Sequence, residues 1–173
     1  MIITIHPEDR LPPEGRIPLP FAAPIYRLAL ALWAEGMALF TFVVTPAIFK
    51  SRGREAAGEI VGAIFPHYFR YCLAAIGIAL AARIVSGSAF TGARQVAGTV
   101  LVVLALSLSG YHAFALAPRI GAVKAQVASF ESPSAEHPAR REFSRLHGMS
   151  MGINLAVLAA GVVLVLGDGG FRG

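Results

Sequence analysis

Apolar residues run along this chain in four long blocks, approximately Leu28 to Phe49, Phe65 to Val85, Val96 to Pro118 and Leu146 to Leu166. Each block is about twenty residues long and rises roughly 30 Å as a helix, the thickness of a bilayer's hydrocarbon core. The pattern predicts an all-α protein, a bundle of four transmembrane helices with helical extensions of the loops. In the second block Arg70 and Arg83 bracket Tyr71 to Ala82. A full span there requires both guanidiniums to snorkel to the two interfaces; the rival reading is a buried or re-entrant helix. Pro66 fits the first turn of that helix, where its missing N–H is harmless.

Between the blocks the pattern changes period. Ile120, Val123, Val127 and Phe130 recur at helical spacing, which predicts that the third helix continues beyond the membrane with one apolar face. Ser132, Pro133, Ser134 and Pro138 interrupt it, and Pro138 opens a new helix running through Phe143 and Leu146 into the fourth span. The segment from Glu55 to Phe65 is expected to lie along the interface. Residues 1–22 read as an extended polar arm and 23–173 as the transmembrane domain. The acidic and proline-rich start does not match a removable signal peptide. No internal repeat is evident.

Composition agrees: 55% of the residues are hydrophobic and 14% charged. The net charge of +5 sits beside the apolar blocks, which marks membrane topology and not nucleic-acid binding. Nine of the 15 Lys and Arg residues fall on the side of the two larger loops. That bias predicts loops Lys50–Phe65 and Arg119–Arg145 in the cytoplasm and both termini outside, in a bacterial inner membrane. Cys72, the single cysteine, excludes an internal disulfide and reads as a small buried apolar residue.

Polar groups inside the spans are the candidates for chemistry. His147, Ser150 and Asn154 share one face of the fourth helix, as a ligand site or as a helix-interface centre. Ser107 is the expected partner of Asn154. Gly148 and Gly152 form a small-xxx-small pair suited to close approach by another helix. His67, His112 and His147 fall near one interface, where they form a candidate site for a transition metal or haem. Glu35 is an intramembrane carboxylate, a candidate for a proton or cation path or for a structural hydrogen bond. Thr41 and Thr45 are placed to bond their own helix backbone, and Pro46 to kink it. No phosphate-binding loop, dinucleotide fingerprint or nucleophile elbow is present.

The run Leu32, Trp33, Gly36, Phe40, Val43, Val44, Pro46 and Phe49, followed by Gly58, Phe65, Pro66, Tyr68 and Phe69, resembles a membrane family related to eukaryotic transmembrane protein 205. Pro118 with Ile120, and Leu146, His147, Gly148, Ser150 and Asn154, are similar to the same pattern. Glu35 stands where that family carries a small residue, and His67 where its residue varies. The resemblance implies a four-helix bundle without an established catalytic activity, whose eukaryotic relative is linked to platinum-drug resistance. More distantly the architecture is similar to copper-resistance membrane proteins and four-helix protoporphyrinogen oxidases. Two functions stand open at this level. One is a non-enzymatic transport-related protein, or an accessory subunit meeting other membrane subunits or itself. The other is a haem- or metal-binding protein, an oxidoreductase in its enzymatic form.

Overall fold

The computed structural model describes residues 21–127 and 138–167. Most of the polar arm, and Phe130 of the predicted apolar face, lie outside them. Four helices carry the described chain: α1 Ala22–Ser51, α2 Arg54–Val85, α3 Ala93–Lys124 and α4 Pro138–Gly167. All four are long and apolar enough to cross a membrane. No strand occurs among the described residues.

Local chemistry explains where the helices stop. Arg52 and Gly53 take extended backbone angles between α1 and α2. Beyond α2, Gly87 adopts a positive φ of 70°, which glycine tolerates without a Cβ clash, and its N–H bonds Ile84 O to close the helix end. A short 3₁₀ turn, Ser88–Phe90, then leads to α3. Pro138 opens α4, as expected of a residue with no N–H to leave unpaired in the first turn.

Helix α2 corrects two expectations. It is one helix from Arg54 to Val85, so Glu55 to Phe65 belongs to it and forms no separate interfacial segment. Pro66 therefore stands inside the helix and not at its first turn.

The other two span prolines act differently. Residues Phe40–Val44 and His112–Leu116 form π-helical turns, in which Thr45 N–H reaches back to Phe40 O and Ala117 N–H to His112 O. Pro46 and Pro118 follow each turn by two residues. A proline cannot donate to the carbonyl four residues behind and its ring presses on it; a widened turn just before it relieves that conflict. Phe42, Val44, Pro46 and Ile48 recur as Phe114, Leu116, Pro118 and Ile120, so a local repeat exists although the sequence as a whole shows none.

The four helices form a ring in which the backbones of α1 and α3 each lie beside those of α2 and α4, while the diagonal pairs stand further apart. Trp33, Ile76, Val102 and Val157, one from each helix, are buried at the centre. The end of α3 beyond Pro118 packs on α4, which covers part of the apolar face predicted there. The outer surface is apolar, with Leu28, Phe42, Phe114, Val163 and Leu166 all exposed. Such a surface suits lipid and would be a liability in water.

Arg83 does not snorkel outward. It is 1% exposed, its Nε donates to Thr99 Oγ1, Nη1 to the Tyr26 hydroxyl and Nη2 to Gln95 O, all at 2.8 Å. The guanidinium thus joins α1, α2 and α3 at one end of the bundle, where a planar fork of donors matches three separate acceptors. Arg70 is exposed, as a snorkelling residue would be.

Candidate functional site

A second polar cluster occupies the interior nearer the opposite end. By rise per residue it lies about 14 Å inward from Lys50 on α1 and from Arg145 on α4, well inside the hydrocarbon. Asn154 is its hub. The Tyr68 hydroxyl donates to Asn154 Oδ1 at 2.8 Å, and Asn154 Nδ2 donates to Thr41 Oγ1 at 2.9 Å, linking α2, α4 and α1. One turn along α4, Ser150 Oγ lies 2.6 Å from His112 Nε2 on α3, where either group can donate. Every helix of the ring contributes a side chain.

Aromatic rings hold these groups in place. Phe69 packs on the His112 ring at 4.3 Å between centroids, and Phe40 stacks on Tyr68 at 4.3 Å. Phe40 and His112 are the first residues of the two π-helical turns, so both widened turns abut the cluster. π-helical turns are frequent at functional sites, because they supply backbone that can rearrange locally. Tyr68, Cys72, Ser109, His112 and Asn154 provide the polar wall of a cavity holding about 10 Å³ of free space. That is about the room one water needs, and the wall offers more than the two partners such a water requires.

The sequence-derived candidates scatter. Ser150 and Asn154 belong to the cluster, whereas His147 is half-buried and stacks on Phe143 of its own helix. Ser107 is not the partner of Asn154: it faces outward and bonds Val103 O one turn back. Thr41 bonds across the bundle to Asn154. Gly148 and Gly152 face open space, with no neighbour where a Cβ would point, so no helix of this bundle uses them for close approach. Close approach occurs instead at Gly161, against Trp33, and at Gly36, against the Tyr71 ring. Glu35 is exposed on α1. Cys72 is buried, as expected.

The three histidines are not brought together. His67 is exposed, His112 Nε2 is engaged by Ser150, and His147 packs on Phe143. Among the described residues no group of three His, Cys, Asp or Glu side chains is placed to hold a metal ion. The space beside His112 has room for about one water.

Ser109 escaped the reading of single-helix motifs, Tyr68 entered only through the resemblance, and Thr41 was expected to bond its own backbone, because each is unremarkable on its own helix. One signal was present: Thr41 and His112 stand five and six residues before prolines of the same local pattern, so both fall at the same level.

The chain belongs to the family described as Domain of unknown function (DUF4149), whose profile matches residues 28–129. Thr41, Tyr68 and His112 fall within the match, and Ser150 and Asn154 lie beyond it. An uncharacterized protein of Aquifex aeolicus (strain VF5) is 34% identical over 145 residues, covering 81% of this chain and 95% of that relative. No solved structure matches.

Proposed function

We propose that this DUF4149 protein is a transport-related membrane protein that passes protons through the centre of its bundle. The observation that carries the reading is the water-sized cavity at the depth of the hydrocarbon, walled by Tyr68, Cys72, Ser109, His112 and Asn154. Intramembrane polar groups of this kind commonly mark ion and proton pathways. His112 is the group that takes up and releases a proton, because an imidazole can accept at one nitrogen while donating at the other. Ser150 hands the proton on from Nε2, and a water in the cavity bridges toward Asn154 and Tyr68. The π-helical turns next to His112 and Phe40 supply the local movement that opens the closed bundle.

Kinship with eukaryotic transmembrane protein 205 forms part of the same proposal, supported by the motifs around Pro46, Pro66 and Pro118. So does a bacterial inner-membrane location with the Lys50–Phe65 and Arg119–Arg145 loops in the cytoplasm, supported by the charge bias of those loops.

The test is proton uptake into liposomes carrying the purified chain and an entrapped pH dye, driven by a potassium diffusion potential. Uptake well above that of protein-free liposomes is expected, with loss in His112→Phe and in Asn154→Leu. Wild-type liposomes as tight as empty ones, or full uptake by both folded variants, would overturn the reading.

A further inference from the structure

Helix α1 presents a seam to the lipid that the bundle does not use. Ile25, Leu28, Leu32, Glu35 and Leu39 are all exposed, and their spacings of three, four, three and four residues make a heptad seam. Glu35 is the one charged member. It lies eight residues beyond Arg27, about 12 Å along the helix, and so within the hydrocarbon. Among the described residues it makes no hydrogen bond or ion pair. A carboxyl facing lipid without a partner is costly, and such residues are nearly always turned toward protein.

A second polar group lies beside it. Tyr71 of α2 is 39% exposed on the same outer surface. Its ring rests against Gly36, where a Cβ would come within 2.6 Å of Tyr71 Cε1, and its hydroxyl donates to Leu32 O. The phenol oxygen keeps acceptor capacity. Glu35 and Tyr71 thus form a polar island in an otherwise apolar seam.

We infer that the α1 seam is the contact between two copies of this chain, with Glu35 at its centre. All copies share one orientation in a membrane, so a two-fold axis relating them must run along the membrane normal. Every residue on such an axis meets its counterpart at its own depth. Glu35 then faces the Glu35 and Tyr71 of the second copy, and each carboxyl gains a hydrogen-bonding group without any other protein being required. The heptad spacing suits a left-handed helix pair crossing at about 20°. The contact is independent of the proton path.

The experiment is disulfide cross-linking of the full-length chain in liposomes at high lipid-to-protein ratio, with Cys72→Ala as background. Leu28→Cys, Leu32→Cys and Leu39→Cys are expected to cross-link to themselves, and Val103→Cys, on the outer face of α3, is not. Adding Glu35→Leu should weaken association five- to thirty-fold, the factor given by the about 1–2 kcal/mol of a membrane polar contact. Glu35→Gln, which keeps a donor and an acceptor, should retain it. A monomer at all dilutions, cross-linking through Gly152→Cys in place of the α1 positions, or association indifferent to Glu35→Leu would each overturn the inference. Should Glu35→Leu fail to fold, the cysteine series with Glu35 intact decides alone.

Discussion

Tyr68 donates a 2.8 Å hydrogen bond to Asn154 across 86 positions of chain, and Asn154 passes the link on to Thr41 at 2.9 Å. Three helices are thereby tied at one half-buried amide. Interhelical polar bonds in membranes average about 0.6 kcal/mol and reach about 1.7. Asn154→Leu is expected to destabilise the bundle by about 1–3 kcal/mol and leave it folded, because it removes two such bonds and strands two hydroxyls. Tyr68→Phe should cost less. A double-mutant cycle in detergent-induced unfolding checks both, with a coupling near zero contradicting the link.

Arg83 joins Tyr26, Thr99 and the Gln95 carbonyl at the opposite end. Arg83→Met should lower stability by about 3 kcal/mol or more, since it removes three hydrogen bonds, two of them buried. Arg83→Lys is expected to recover little, an ammonium being unable to span all three. Thermal unfolding in detergent measures the pair.

Glycines separate by what surrounds them. A Cβ at Gly161 would lie 3.2 Å from Trp33 Cε2, and Trp33 is 0% exposed and cannot retreat. Gly161→Ala should therefore destabilise by about 1–3 kcal/mol. Gly152→Ala, with nothing within 4 Å, should be neutral or stabilise the helix by up to about 1 kcal/mol. Equal effects would mean that helix propensity outweighs packing here.

Pro118→Ala supplies an N–H where the π-helical turn now compensates for its lack. The expected result is slower amide exchange over residues 112–118 and slower proton uptake in liposomes, as the local opening becomes costlier. Faster exchange in this variant would show that the proline holds the turn rigid.

Side of the membrane is checked by labelling Ser51→Cys and Ser134→Cys in a Cys72→Ala background. Both positions are expected to resist an impermeant reagent applied to intact cells. Labelling of both from outside would reverse the orientation.

The four helices were legible in the apolar blocks alone, since a backbone in lipid must satisfy its own hydrogen bonds and a helix of about twenty apolar residues does so. The sequence also placed the start of α4 at Pro138 and the burial of Cys72. It left open the direction in which a polar side chain points, because lipid and bundle interior are equally apolar and no amphipathic stripe separates them. Only tertiary packing therefore turned Arg83 inward and left Glu35 on the outer surface of the bundle. The same packing gave Asn154 the partners Tyr68 and Thr41 in place of Ser107. It drew Ser150 and Asn154 away from His147 for a geometric reason: the ring of helices closes around one side of α4, and His147 lies nearer the end, where its neighbour is Phe143.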